Sequence, residues 1–113
     1  MKIYDLQQVK EMAGGDNDFV VEIVKAFLEE LPPDINLMRE AVENNNPELA
    51  YSVAHKMKPN LQIFGLELLE NIKRLESWSK DRVTRKDILE DVSLIEKKVL
   101  LACESLKEDF QVI

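Results

Sequence analysis

Apolar residues recur along this chain three or four positions apart, the spacing of helices that bury one face, and no segment alternates like a strand. The pattern predicts six helical segments. Asp5 is expected to cap a short first helix that Gly14-Gly15 ends, and Asp16 or Asn17 to start the second. Pro32-Pro33 is expected to break the second helix, because proline removes a backbone hydrogen bond and clashes with the preceding turn.

The second half of the chain continues the same pattern. Asp34 is predicted to cap a third helix that Asn44-Asn45-Asn46 ends, and Pro47 suits the first turn of a fourth. Gly65 is expected to end that fourth helix and to permit a left-handed turn. A returning helix over 66–78, a polar connection from Ser79 to Arg85 and a long last helix with Thr84 or Asp87 near its start complete the prediction.

The positions predicted to face the core share helical spacing within each segment. They are Phe19, Val20, Ile23, Val24, Phe27 and Leu31; Ile35, Leu37, Met38, Ala41 and Val42; Leu66, Leu68, Leu69, Ile72, Leu75 and Trp78; and Ile88, Val92, Ile95, Val99, Leu100 and Leu106. Short links between such helices favour an all-α fold, an antiparallel four-helix bundle with one or two short additional N-terminal helices. With 113 residues and no dividing linker, we expect a single domain over 1–113.

The fourth helix separates into two faces when it is wound at about 100° per residue. Its apolar face carries Ala50, Val53, Ala54, Met57, Leu61 and Phe64, and its polar face carries Glu48, Tyr51, Ser52, His55, Lys58, Pro59 and Gln62. The only histidine of the chain, His55, is therefore expected to face solvent, with Lys58 beside it because residues three apart are neighbours on a helix.

Composition narrows the classes of function. The net charge is −7, from 22 acidic and 15 basic residues, which disfavours binding to nucleic acid or to an anionic membrane surface. No apolar run is long enough to span a bilayer, and residues 1–5 do not resemble a secretory signal. The single cysteine, Cys103, lies among apolar residues and is interpreted as a small buried hydrophobe. We therefore expect a cytoplasmic protein.

The residues around His55 resemble the signature of the histidine-containing phosphotransfer (HPt) domain. That family carries Ala-His, then a hydrophobic residue, a lysine, a small residue and, further on, a glycine; the corresponding residues here are Ala54, His55, Met57, Lys58, Pro59 and Gly65. The small residue is usually glycine, so Pro59 departs from the pattern. The acidic helix ending in Phe27-Leu28-Glu29-Glu30-Leu31-Pro32 is also typical of the family, so the resemblance covers most of the chain.

The resemblance implies a carrier that relays a phosphoryl group between aspartates of receiver domains in two-component signalling, including receivers of hybrid histidine kinases. The Mg²⁺ would then belong to the partner receiver, and the chain would need no cofactor or metal of its own. The sequence contains no Gly-rich phosphate loop, so no ATP-dependent kinase activity is expected. One histidine and one cysteine in distant helices are too few ligands for a zinc site. We expect a monomer.

Chemistry assigns roles to individual residues of this helix. A neutral imidazole nitrogen can attack phosphorus, which makes His55 the candidate acceptor, and a nearby cation such as Lys58 lowers the barrier by stabilising charge on the phosphoryl oxygens. Lys56, further around the helix, could add positive potential, and Gln62 could donate a hydrogen bond. Pro59 has two interpretations: it keeps the space over the imidazole open, or it only bends the helix, with a kink expected just past His55.

Two hypotheses from other classes stay open. The same bundle could be a docking or adaptor module that binds a receiver or kinase without accepting phosphate, with Tyr51 and Ile63 as candidate docking residues. A hydrolase that uses His55 as a general base is the weaker hypothesis, because the sequence offers no second catalytic group. The partner kinase and regulator, the direction of transfer, and whether the chain stands alone or belongs to a hybrid kinase are not determined by the sequence.

Overall fold

The structure, a computed structural model, describes residues 3–78 and 85–111. Its five helices are α1 (Gln7–Met12), α2 (Asn17–Glu43), α3 (Pro47–Ile63), α4 (Leu69–Ser77) and α5 (Arg85–Phe110). These ranges contain no strand, so the predicted all-helical class is confirmed. Residues 79–84 of the predicted polar connection lie outside the described residues. The same holds for the predicted role of Thr84 near the start of the last helix.

The helix starts follow from side chains that accept hydrogen bonds from free backbone N–H groups. The Asp16 carboxylate accepts from the N–H groups of Asp18, at 3.0 Å, and Phe19, at 3.4 Å, and so caps α2 as predicted. Asn46 caps α3 by accepting from the N–H of Leu49 at 3.2 Å, with Pro47 in the first turn.

The prediction that Pro32-Pro33 breaks the chain into two helices is wrong. α2 continues through both prolines as one helix of 27 residues. Each proline removes one backbone hydrogen bond, at a cost of about 3 kcal/mol or more in a helix interior. Leu31, Ile35 and Met38 lie on both sides of the prolines and are all buried, and burying each stabilises the helix by about 1.5–3 kcal/mol. Tertiary packing of a continuous apolar stripe is therefore large enough to offset the local penalty.

Other sequence predictions also need correction. Asp34 does not cap a helix but is a buried residue in the middle of α2. The returning helix begins at Leu69, so Leu66 and Leu68 are buried in the segment that precedes it. Four residues assigned to core stripes are instead exposed: Phe19, Leu37, Leu69 and Leu100. Each lies off the buried stripe of its own helix, because an α-helix turns by about 100° per residue, and so remains in contact with solvent.

The helices share one hydrophobic core. α2 packs against α3 and α5, α4 packs against the same two helices, and α1 packs against α2. Cys103 is buried in this core, and burial raises the pKa of its thiol, which agrees with the interpretation of a small buried hydrophobe. None of the helices in the described ranges combines the length and the apolarity needed to cross a membrane.

One buried polar network ties α4 to α5. The carboxylate of Asp91 accepts from Nδ2 of Asn71 at 2.9 Å and from two nitrogens of Arg74, including Nε at 2.9 Å from Oδ2. Asn71 and Asp91 are buried. Because both carboxylate oxygens have donors, the buried charge is compensated, and the network fixes how α4 lies against α5.

The N-terminal segment closes over the end of α3 next to Gly65. The N–H of Asp5 donates to the carbonyl of Phe64 at 2.8 Å. Gly65 has φ +65°, and a Cβ there would lie 2.8 Å from the Cβ of Asp5. Only glycine satisfies both the left-handed backbone and this close approach, so the predicted turn at Gly65 is confirmed.

Tyr4 also anchors this segment, and its ionisation makes the free energy of unfolding depend on pH in the alkaline range. Its hydroxyl donates to Asp109, and burial, this hydrogen bond and the carboxylate charge together raise the pKa of Tyr4 to about 12. Since the folded-state pKa lies above the unfolded value of 10.0, the stabilisation is complete below pH 10 and is lost as the pH rises towards 12.

We therefore expect Tyr4→Phe to lower the free energy of unfolding by about 1 kcal/mol at pH 7, because one partly buried hydrogen bond is removed. The difference from the wild type should shrink above pH 10. Urea unfolding followed by circular dichroism at pH 7 and at pH above 10 measures both effects. An unchanged difference across that range would show that the ionisation of Tyr4 is not coupled to folding.

Candidate functional site

His55 stands on the outer face of α3, midway along the helix. The opposite face is buried through Ala50, Val53, Ala54, Met57 and Leu61, which fixes the rotation of the helix. The imidazole side chain is 68% exposed, as the two-faced pattern predicts. An incoming molecule can therefore reach the ring without any rearrangement of the core.

Glu76 of α4 links His55 to Lys58. Its Oε2 lies 3.3 Å from Nδ1 of His55, and its Oε1 accepts from Nζ of Lys58, also at 3.3 Å. The Glu76 side chain is only 15% exposed, so the carboxylate sits beneath the two α3 residues. Glu76 is not among the residues predicted for this site, because nothing in the sequence signals that a glutamate 21 positions away would face the histidine.

The contact with Glu76 selects a tautomer of the His55 ring. A carboxylate only accepts hydrogen bonds, so Nδ1 must carry the hydrogen for this contact to be favourable. In the neutral ring Nε2 then holds the lone pair. Nε2 has no hydrogen-bond partner among residues 3–78 and 85–111, so its lone pair is not engaged by the described part of the chain.

Tyr51, one turn before His55, covers part of the imidazole. The two rings are nearly parallel, with an angle of 5° between them and 5.8 Å between their centroids. Tyr51 is itself exposed. Tyr51 and Glu76 thus contact the His55 ring from two directions, and the side chain as a whole stays largely exposed.

Lys56 is directed towards α2, on the other side of the site from Glu76. Its Nζ donates to Oδ1 of the buried Asp34 at 3.0 Å, and this hydrogen bond is the main cause of the raised pKa of Lys56. Asn60 likewise donates to Glu30 of α2 at 3.2 Å. These contacts bind α3 to α2, and they place the positive charge of Lys56 away from the group that touches His55.

Neither Gln62 nor Pro59 forms a hydrogen bond with the imidazole in the described part of the chain. Gln62 is exposed and, with Lys58, lines a cleft near the N-terminal segment. Pro59 is also exposed, and α3 continues beyond it to Ile63, so Lys58 remains helical despite the expected bias against it. Among the sequence-predicted site residues, the structure thus brings only His55 and Lys58 together, through Glu76.

The charges around His55 are balanced. Lys58 faces Glu76 and Lys56 faces Asp34, so each cation expected to assist the histidine already has a carboxylate partner. The described part of the chain offers no cluster of three or more histidine, cysteine, aspartate or glutamate residues that could hold a metal ion. The site consists of one exposed imidazole, one lysine and one carboxylate that contacts both.

Comparison of the chain with protein-family models, with curated proteins and with solved structures finds no match. The assignment of a function therefore rests on the motif around His55 and on the geometry described above.

Proposed function

We propose that this chain is a histidine phosphotransfer protein, which takes a phosphoryl group from the aspartate of one receiver domain and passes it to the aspartate of another. The observation that carries the proposal is the exposed His55 ring, whose Nδ1 faces Glu76 and whose Nε2 has no hydrogen-bond partner among the residues that the structure describes. The HPt-like sequence from Ala54 to Gly65 adds the family resemblance.

The reaction follows from the tautomer. The Nε2 lone pair attacks phosphorus, the new N–P bond forms, and the bond between phosphorus and the aspartyl oxygen breaks with its electron pair going to the carboxylate. The ring, which keeps its hydrogen on Nδ1, becomes cationic. Glu76 then stabilises that charge, and when the phosphoryl group leaves, the ring returns to the same neutral tautomer. Mg²⁺ is expected on the partner receiver.

Lys58 is the cation best placed to assist. Its side chain is 32% exposed and ends on Glu76, within one helical turn of His55. Because lysine has a long flexible stem, its ammonium can move from the carboxylate to the oxygens of a phosphoryl group on Nε2. Lys56 could assist only by breaking its ion pair with Asp34, which would leave a buried carboxylate without its partner. We therefore assign Lys56 the role of supporting the orientation of α3.

We expect Lys58→Ala to slow phosphoryl transfer to His55 by about 10- to 100-fold, because one cation that stabilises the phosphoryl oxygens is lost. The measurement is the rate of labelling by a phosphorylated receiver under single-turnover conditions. Lys73→Ala is the matched control, since Lys73 is an exposed lysine on α4 that pairs with Glu70. Equal rates in the two variants would remove Lys58 from the site.

Glu76→Gln should also slow transfer, by about 10- to 100-fold, because an amide can donate to Nδ1 and so favour the tautomer in which Nε2 lacks its lone pair. The ¹⁵N chemical shifts of the imidazole report which nitrogen carries the hydrogen. Glu70→Gln, an exposed glutamate on the same helix, serves as the control. A variant that keeps both the wild-type tautomer and the wild-type rate would contradict the assigned role of Glu76.

We infer that α2 to α5 form an antiparallel four-helix bundle, with α1 as the short additional N-terminal helix, and that residues 1–113 are one HPt-like domain. Two contacts between α2 and α3 support the antiparallel direction: Glu30 accepts from Asn60, and Asp34 accepts from Lys56. The residue numbers of the contacts thus rise along α2 while they fall along α3. Such a bundle holds His55 rigidly for a docking partner.

The direct test incubates the protein with a panel of receiver domains carrying radioactive aspartyl phosphate. The proposal predicts that at least one receiver transfers label to the chain, as an acid-labile, base-stable phosphate. A complex that forms with unchanged affinity in His55→Ala, with no label transferred by any receiver, would instead indicate a docking module. We place this relay in the cytoplasm, with receiver domains of regulators and hybrid kinases as partners.

A further inference from the structure

A large cleft lies beside the phosphoryl site, between the N-terminal segment, the end of α3, the start of α4 and the outer side of α5. Its volume is about 1270 Å³. Four lysines line it, Lys10, Lys58, Lys97 and Lys98, against two acidic residues. On a chain with a net charge of −7, this local excess of positive charge is unusual.

Three of these lysines have no carboxylate partner in the described part of the chain. Lys58 pairs with Glu76, but Lys10, Lys97 and Lys98 form no ion pair with any residue in the described ranges. One of the two acidic residues, Asp5, uses its carboxylate to accept from the N–H of Gln7 at 2.9 Å. The cleft therefore presents three ammonium groups that form no ion pair within the described part of the chain.

The same cleft exposes leucine side chains between the lysines. Leu69 of α4 and Leu94 and Leu101 of α5 line it and are 37%, 39% and 38% exposed. Leu94 and Leu101 are seven positions apart, two helical turns along one face of α5, with Lys97 and Lys98 between them. An apolar strip bordered by cations is complementary to a helix whose apolar stripe is bordered by carboxylates.

We propose that this cleft binds an amphipathic, acidic helical segment of a partner protein, with leucine-like side chains against Leu69, Leu94 and Leu101 and carboxylates near Lys10, Lys97 and Lys98. The inference goes beyond phosphoryl transfer and does not require His55 to accept phosphate. Lys58 belongs both to the cleft and to the His55 site, so a partner held here lies next to the imidazole.

The probe is a synthetic helical peptide with leucines at helical spacing and flanking glutamates, titrated into the ¹⁵N-labelled full chain. We expect NMR shift changes at the amides of residues 94–101 and 5–10, and weaker binding at high salt because the ion pairs are screened. A peptide with lysines in place of the glutamates should not bind. Binding of both peptides alike, or shift changes located elsewhere, would overturn the proposal.

Matched variants distinguish binding in the cleft from a general effect of the protein's net charge. Lys97→Glu combined with Lys98→Glu should weaken peptide binding by about tenfold or more, whereas Lys107→Glu, on the same helix outside the cleft, should not. Leu94→Gln tests the apolar strip independently and should also weaken binding. Wild-type affinity in the double lysine variant, or binding of phosphatidylglycerol vesicles but not of the peptide, would contradict the inference.

Phosphoryl transfer to His55 and peptide binding in the cleft can be tested independently of each other. His55→Gln is expected to bind the acidic peptide as the wild type does, even though it cannot accept a phosphoryl group. Loss of peptide binding in that variant would show that the cleft is not an independent docking surface, whereas absence of phosphoryl transfer with intact peptide binding would leave it standing.

Discussion

His55→Gln is expected to abolish the acid-labile phosphoryl label altogether, because the amide that replaces the ring has no nucleophilic nitrogen lone pair. Glutamine is close to histidine in size and polarity, and the side chain is largely exposed, so the fold should be retained. The measurement is labelling by a phosphorylated receiver, with the helical circular dichroism signal as the check on folding.

Ser52→Ala is the matched control, since Ser52 is an exposed hydroxyl on the same helix, three positions before the histidine. It should be labelled like the wild type. Retention of the acid-labile label in His55→Gln would assign the phosphate to another residue, and loss of label in Ser52→Ala would show that the loss in His55→Gln is not specific to the imidazole.

Phe64→Ala is expected to lower the free energy of unfolding by about 3–5 kcal/mol, the typical cost of truncating a buried phenylalanine. Phe64 caps the C-terminal end of α3 and is buried. Its ring centroid lies 4.2 Å from that of Phe27 on α2, so the substitution also removes an aromatic pair that joins the site helix to its neighbour.

Denaturant unfolding measures this loss, and Phe19→Ala is its control. Phe19 is the same residue type on α2 but is 48% exposed, so its truncation should change the free energy of unfolding by no more than about 0.5 kcal/mol. Similar midpoints for the two variants would mean that Phe64 does not hold α3 against α2.

The sequence predicted those features that depend on neighbouring residues. The cap at Asp16, the start of α3 at Pro47 and the turn at Gly65 each follow from one or two side chains, and the exposure of His55 follows from the rotation of a single amphipathic helix. Local chemistry fixes such features, so they can be derived without a three-dimensional structure.

Features that depend on packing between helices could not be derived in this way. Pro32 and Pro33 favour a break locally, but the buried stripe of Leu31, Ile35 and Met38 keeps α2 continuous. Glu76 reaches His55 only because α4 packs against α3. The same packing directs Lys56 to Asp34, so two lysines that are two positions apart in sequence have different partners.

The position of the phosphate on the imidazole tests the proposed chemistry most directly. The ¹⁵N-labelled protein would be phosphorylated with the small donor phosphoramidate, and coupling between phosphorus and the ring nitrogens would be measured by NMR. Phosphorus bonded to Nε2 of His55, with the hydrogen on Nδ1 beside Glu76, is the predicted result. Phosphorus on Nδ1, or a His55 ring that remains unmodified while another residue is phosphorylated, would contradict it.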